Sequence, residues 1–381
     1  MKTLFLVILI FNFSAAVFAE DFSLGDIVYP VSIKSNKYDT AEGVLDEERT
    51  VAASGIEFTL KKGSDIKINT RGKYIESAIL AKDAAVVSGE NRLIAKADTR
   101  VFFYYRKHYK TKKITHLLSG MNFTQNQKIK IHGKETLCKA GASGHSADIS
   151  FDSKLIPLRF TLAEDFKIKI KNNDFIFRGN SMLDLFESVN KTENFIRSGN
   201  LKNPVTVMVG ENEITIGAAD PSKLPILDVT FNRKGDISVA RVTGSSDLKI
   251  GDMVYKYQSK STIFFNDDGT VKCADWLIPP HYEIEKQTIV CESENGFCFD
   301  KNGKVISLGT HNSYEPWTLT YFNQKITIRG GSRFALYDGI KIKSITPDKR
   351  GAEIIISGKK TEVPGNKTIF FDKEGNFTEV K

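Results

Sequence analysis

One nine-residue pattern recurs at near-constant spacing along the second half of the chain, and it limits the fold to an array of like units. Its copies are Val229-Thr230-Phe231-Asn232-Arg233-Lys234-Gly235-Asp236-Ile237, then Ile263 to Val271, Phe297 to Val305 and Ile369 to Phe377. The Phe before each turn falls at 231, 265, 299 and 371, so the steps are 34, 34 and 72, the last being twice 36. A degenerate copy, Ala335 to Ile340, lies near the skipped position, and the segments around Ile68 and Phe103 repeat at 35 residues in the first half.

The pattern has a physical meaning. Asn or Asp, two polar residues and then Gly fit a type I turn closed by a left-handed residue, the hairpin with a G1 bulge. The first side chain hydrogen-bonds forward into the turn, and Gly takes positive φ without steric cost. Gly235, Gly269, Gly303 and Gly375 are therefore structural turn residues. The expected cross-strand pairs are Phe231 with Ile237, Phe265 with Val271, Phe299 with Val305 and Phe371 with Phe377. Elsewhere short period-two runs such as Phe166 to Ile170, Val205 to Val209 and Lys325 to Ile328 alternate with turn signals. The predicted fold class is all-β, an antiparallel hairpin array of period about 34–36.

One stretch breaks the alternation. From Ser181 to about Arg197, Met182, Phe186, Val189 and Ile196 recur at three-to-four spacing, with Ser181 as N-cap and Ser198-Gly199 as terminator. This predicts a short helix at a junction (179–201) between an N-terminal β region (20–178) and a C-terminal repeat region (202–381).

The first nineteen residues read as a targeting segment. Lys2 precedes an apolar core from Leu4 to Phe13, and Val17-Phe18-Ala19 supplies small residues before Glu20. This predicts a signal peptide cleaved after Ala19. The apolar run is shorter than the roughly 20 residues a spanning helix needs, so no transmembrane span is expected. Export to the periplasm, the cell surface or the medium follows. The four Cys then meet an oxidising compartment. Cys291 and Cys298 are the expected bridge, with Cys273 the next candidate partner and Cys138 remote.

Chemistry-bearing patterns are sparse. The six His form no metal-ligand pairing, no paired CxxC exists, and neither a phosphate loop nor a dinucleotide fingerprint occurs. Ser143, His145 and Asp148 share one small-residue loop, which is read as a polar loop and not as a triad. No catalytic residue, metal or cofactor is expected. The segment with functional character is Tyr104-Tyr105-Arg106-Lys107-His108-Tyr109-Lys110-Thr111-Lys112-Lys113, uninterrupted by an acid. Its candidate binding residues are Tyr104, Tyr105, Arg106, Lys107, Tyr109, Lys110, Lys112 and Lys113. As a hairpin tip they suit an anionic glycan, a lipid head group or an envelope protein, with Tyr rings stacking on sugar. The net charge of +8 is too small to point to nucleic acid.

Phe299-Asp300-Lys301-Asn302-Gly303-Lys304-Val305 resembles the hairpin of bacterial short-period β-repeat families, including the WG-repeat group. The likeness covers the hairpin alone, because Trp276 and Trp317 are not followed by the Gly that names that group. It implies a scaffold and no catalysis. The expected function is an exported, non-catalytic β-repeat protein that binds through its surface. The alternatives are a periplasmic lipid or glycolipid carrier of β-jellyroll type and an envelope-polymer hydrolase.

Overall fold

The structure, a computed structural model, describes residues 18–24, 27–37, 39–107, 110, 114–141, 146–186, 195–217, 227–275, 277–278, 281–284, 287–290, 296–310, 316–322, 324–356 and 358–381. Every regular element among them is a β-strand, and the described pairings are antiparallel.

Two kinds of hairpin alternate along the chain. The repeated nine-residue motif makes the first kind, here called spine hairpins. In each, the expected turn forms: Gly235, Gly269, Gly303 and Gly375 donate to the carbonyls of Asn232, Asn266, Asp300 and Asp372 at 3.0–3.1 Å. Their φ values are +80 to +89°. The first side chain acts as anticipated, since Asp300 Oδ1 accepts the amides of Asn302 and Lys304 at 2.9 Å each. All four expected cross-strand pairs are present, each beside a register shift. The degenerate copy is a spine hairpin as well, with Leu336 opposite Ile342 in the place of the Phe–Ile pair. A further copy lies at Phe151-Asp152-Ser153-Lys154-Leu155, where Leu155 occupies the glycine position at φ +64° and donates to the Asp152 carbonyl.

The second kind, the cover hairpins, close with two-residue loops and contribute the other two strands of each unit. The pair Ala53–Ile56 flanks Ser54-Gly55, and Ile131–Lys134 flanks His132-Gly133, with all four loop residues at positive φ. That geometry follows the right-handed strand twist. The period of about 35 thus holds four strands, two in the spine and two in the cover.

By contacts the chain forms two compact units. The first comprises Met1–Glu164 and Leu185–Phe195. Its spine runs Phe18–Leu24, Ile27–Lys37, Thr40–Leu45, Asp65–Asn69, Tyr74–Ile79, Arg100–Lys107, Ile114–Met121, Ile149–Phe151 and Pro157–Thr161, each paired with the next. Cover hairpins Arg49–Ala53/Ile56–Leu60, Ala84–Ser88/Asn91–Ala95 and Gln127–Ile131/Lys134–Cys138 interrupt it. Phe58 of the cover meets Phe103 of the spine edge-to-face at 5.6 Å.

The second unit comprises Asp165–Asp184 and Ile196–Lys381. Its spine runs from Ile196–Gly199 through the motif hairpins to Phe377–Val380. The registers align one row across it: Val229, Ala240, Ile263, Ala274, Phe297, Leu308, Phe334, Ile345 and Ile369 are all successive partners. Every one of them is at most 1% exposed. The adjacent row, one residue along each strand, faces the opposite way, as the pleat requires. The buried row packs on cover residues such as Tyr255, whose ring lies 6.0 Å from that of Phe297. Likewise Trp317 stacks on Phe334 at 6.3 Å. Burial of each large apolar side chain stabilises the sandwich by about 1.5–3 kcal/mol.

Most cover hairpins are two-stranded ribbons, although Gln324–Ile328 pairs with Ala352–Ile356 to join two of them in a four-stranded sheet and Leu277–Ile278 adds a third strand to another; side-chain amides join several neighbours. Asn91 Oδ1 accepts the Lys130 amide at 2.7 Å while Nδ2 donates to the Lys130 carbonyl at 3.4 Å. Asn212 does the same to Lys249 at 2.7 and 3.0 Å, and Gln287 to Thr320. Each clamp residue opens the second strand of one hairpin and holds the peptide of the next.

The helix expected from Ser181 to Arg197 is not formed where the chain is described. Met182–Leu185 and Ile196–Gly199 are strands, and 187–194 lie outside the described residues. Leu185 stands 34 residues after Phe151 and so falls on the phase of the array. Leu183, Asp184 and Leu185 are buried in succession, whereas Met182, assigned to the helix's apolar face, is 42% exposed. Ser181 is no N-cap; its hydroxyl donates to the Arg178 carbonyl at 2.6 Å. The same bond joins Ser64 to Lys61, Thr99 to Lys96 and Ser332 to Arg329, so Ser181 belongs to a turn that recurs where cover returns to spine.

The disulfide also differs from expectation. Cys298 pairs with Cys273, not with Cys291, which lies outside the described residues. The reason is register: Val271–Ala274 and Phe297–Phe299 join successive spine hairpins, with Cys273 directly opposite Cys298 and their Cα atoms 4.0 Å apart. Cys138 is a buried free thiol whose pKa burial pushes well above the usual thiol range.

Candidate functional site

The basic tip of the sequence belongs to the spine hairpin Arg100–Lys107/Ile114–Met121 of the first unit. Tyr104, Tyr105, Arg106 and Lys107 end its first strand, opposite Leu117, His116, Thr115 and Ile114. Lys110 lies exposed in the turn, and Tyr109, Lys112 and Lys113 lie outside the described residues. Strand alternation divides the segment. Val101 and Phe103 are buried, so Tyr105 continues the inward side while Tyr104 and Arg106 are directed outward.

Tyr105 meets Tyr74 of the preceding spine hairpin, with ring centroids 4.4 Å apart and planes inclined at 37°. The sequence reading missed Tyr74, although the 35-residue repeat from Ile68 to Phe103 marks the two tips as equivalent. The turn before Tyr74 shapes this contact: Gly72 donates to Asn69 Oδ1 at 2.6 Å. A Cβ on Gly72 would stand 2.7 Å from Tyr74 and 2.9 Å from Tyr105, so only glycine leaves room for both rings. Burial, with smaller contributions from the Glu76 carboxylate and Tyr105, raises the Tyr74 phenol above its ordinary pKa, and it stays neutral at physiological pH.

Exposed cations lie on the same two hairpin ends as the ring pair. Arg71 and Lys73 are exposed on the neighbouring tip, Arg106 and Lys110 on this one. The fold also brings acids that the linear segment lacks. Asp39 lies 3.5 Å from Arg71, and Glu76 lies 3.7 Å from Lys67. The pair with Arg71 is largely solvent-exposed and weak in water, so that guanidinium remains available to a multivalent anion.

Behind the rings sits His116, directly opposite Tyr105. Burial lowers its pKa, and its Nε2 is buried without a hydrogen-bond partner. The cover tip Ser54-Gly55 docks here, the Ser54 amide donating to the His116 carbonyl at 3.1 Å and the Leu118 amide to Ser54 Oγ at 3.0 Å.

The Ser143–His145–Asp148 loop has a structural role at its described end. Asp148 is 2% exposed and accepts the amides of Phe123 and Gly141, each at 2.9 Å. In the second unit Asp228 takes the Leu201 amide at 2.8 Å in the corresponding connection. These buried carboxylates hold returning chain in place. Ser143 and His145 lie outside the described residues. Among the described residues no group of three His, Cys, Asp or Glu side chains is arranged to hold a metal, and no helix is long and apolar enough to cross a membrane.

No protein-family model matches this sequence, and comparison with curated proteins finds no significant relative.

Proposed function

We propose that this chain is an exported, non-catalytic β-repeat protein that binds an anionic glycan through the Tyr104–Lys113 hairpin tip and its neighbour. The observation that carries the reading is the Tyr74–Tyr105 ring pair, with exposed Arg71, Lys73, Arg106 and Lys110 on the same two hairpin ends. Rings offer faces to the C–H side of a sugar, and cations in several positions suit a repeated negative charge. Lipid head groups that carry phosphorylated sugar share this chemistry. Export is supported by the apolar leader and is compatible with the Cys273–Cys298 bridge.

The test is binding of a sulfated glycan, dextran sulfate, to the chain from Glu20 to Lys381, against unmodified dextran. Binding is expected to weaken with salt and to fall when Lys110, Lys112 and Lys113 are replaced by Ala, and separately when Tyr105→Ala removes the ring pair. Unchanged binding in both variants, with the thermal midpoint retained, refutes the proposal.

A further inference from the structure

The second unit presents a different surface. Its buried row has a half-buried counterpart on the opposite face of the spine, and the registers fix its members: Phe264 pairs with Cys273, Cys273 with Cys298 and Cys298 with Ser307. The row continues through Ala335 and Ser344 to Phe370. Two phenyl rings therefore stand on one line with only the disulfide and small side chains between them. Six strand spacings separate them, about 29 Å at roughly 4.8 Å each. Phe264 is 37% exposed and Phe370 half-buried.

The flanks of this line are cationic. Lys272 and Lys343 occupy the extra-residue positions of the bulges beside Cys273 and Ser344, and Arg333 lies two residues from Ala335 on its strand. All three are exposed, and none has an ion-pair partner among the described residues. Cations already lie over rings here: Lys343 Nζ is 5.9 Å from the centroid of Tyr337, and Lys381 Nζ is 5.9 Å from that of Phe370. The acids on the face are Asp275 and Glu379, and Glu379 is paired with Lys381 at 2.6 Å. Net positive charge, from Lys272 on one spine hairpin and from Arg333 and Lys343 on another two hairpins along, complements a chain that carries several anions and not a single ion.

We propose that this outer spine face binds an extended anionic glycan laid across the strands, its rings against Phe264 and Phe370 and its sulfate, phosphate or carboxylate groups on Lys272, Arg333 and Lys343. This surface is separate from the Tyr74–Tyr105 tip. The row is open at both ends rather than closed into a pocket, so length rather than end-group chemistry sets affinity.

The experiment uses the chain from Glu20 to Lys381 carrying Tyr105→Ala, Lys110→Ala, Lys112→Ala and Lys113→Ala, which removes the ring pair and the lysines of the tip. Binding to fluorescent dextran sulfate fragments of graded length is measured by anisotropy. Affinity is expected to rise with length until the probe spans the face. Replacing Lys272, Arg333 and Lys343 by Ser is expected to weaken binding on the order of tenfold or more at low salt. Phe264→Ser is expected to weaken dextran sulfate but not polyphosphate, which has no rings to stack. Loss of dextran sulfate binding in the tip variant alone, or an unchanged affinity in the Lys272/Arg333/Lys343 variant, overturns the proposal. Equal weakening of polyphosphate by Phe264→Ser overturns the ring contact, and a lowered thermal midpoint identifies a variant that failed to fold. A face that instead captures protein would show no length dependence with the glycan, which also overturns it.

Discussion

Replacing Gly303 by Ala separates two demands that the array places on its turn glycines. Gly235 and Gly303 have the same backbone conformation, φ +80°. An L-residue there costs about 1–2 kcal/mol, partly offset by about 0.4–1 kcal/mol from the lower entropy of the unfolded chain. At Gly235 the nearest atom to an added Cβ is the Ile170 side chain at 3.5 Å, so the conformational cost stands alone. At Gly303 the Cβ would lie 2.6 Å from the Gly251 nitrogen and 2.7 Å from its Cα. Those are backbone atoms of a cover tip, and no rotamer relieves them. Overpacking of this kind costs a further 1–3 kcal/mol, roughly. Gly303→Ala is therefore expected to destabilise the second unit by about 1–3 kcal/mol more than Gly235→Ala. In a unit of this size that is about 2–4 °C in the thermal midpoint per kcal/mol. Differential scanning calorimetry of the two variants reads the difference, and Gly251→Ala, whose Cβ would meet the Asn302 carbonyl at 2.5 Å, is expected to match Gly303→Ala. Equal midpoints for Gly235→Ala and Gly303→Ala would show that the two tips part freely and would refute the interlayer lock.

Three further outcomes are expected. Replacing Cys273 and Cys298 together by Ser removes a link across 25 residues and should cost about 3–4 kcal/mol, measured by calorimetry with and without reductant; a variant as stable as the oxidised parent would mean the bridge adds nothing. Asn212→Ala leaves the Lys249 peptide without its clamp and should cost about 1–3 kcal/mol, with faster amide exchange at Lys249 as the local signature; protection unchanged at that amide would remove the clamp's role. Burial depresses the His116 pKa below 6.5, so between the folded and unfolded values the unfolded chain binds the extra proton. Stability should accordingly fall as pH drops below about 6.5, and His116→Phe should flatten that part of the pH–midpoint curve; an identical slope in the variant would assign the effect to other groups.

The architecture was legible where local chemistry dictates it. The Asn/Asp-x-x-Gly turns specify their own hydrogen bonds, and the Phe–Ile and Phe–Val pairs follow from turn geometry, so both were readable. Legibility failed where a residue type serves several backbone contexts. Ser181 looks like an N-cap because a hydroxyl can bond forward or back, and only the array phase makes it bond back to Arg178. Leu155 hid one copy of the turn because the surrounding bonds hold a residue at positive φ that propensity alone would not place there. Cys273 and Cys298 are 25 residues apart, and nothing local indicates that a spine joint sets them opposite each other. The basic tip was readable as a charge run, but the partition of Tyr105 inward and Arg106 outward depends on which face the sheet buries.

The sequence by itself determined that this chain repeats, that its unit is about 35 residues and that hairpin turns close its spine, because turns and pleats are governed by contacts a few residues apart. Only the tertiary structure decided what those units build. The second hairpin in each period lacks the Asn/Asp-x-x-Gly signature, and its place over the spine is set by Phe, Tyr and Trp packing across the layer. The amide clamps, the glycine-to-glycine contacts, the Tyr74–Tyr105 pair and the Phe264–Phe370 line each join residues from different hairpins. Those relations depend on how the strands stack in register, and stacking is settled by burial of the shared core rather than by any local preference.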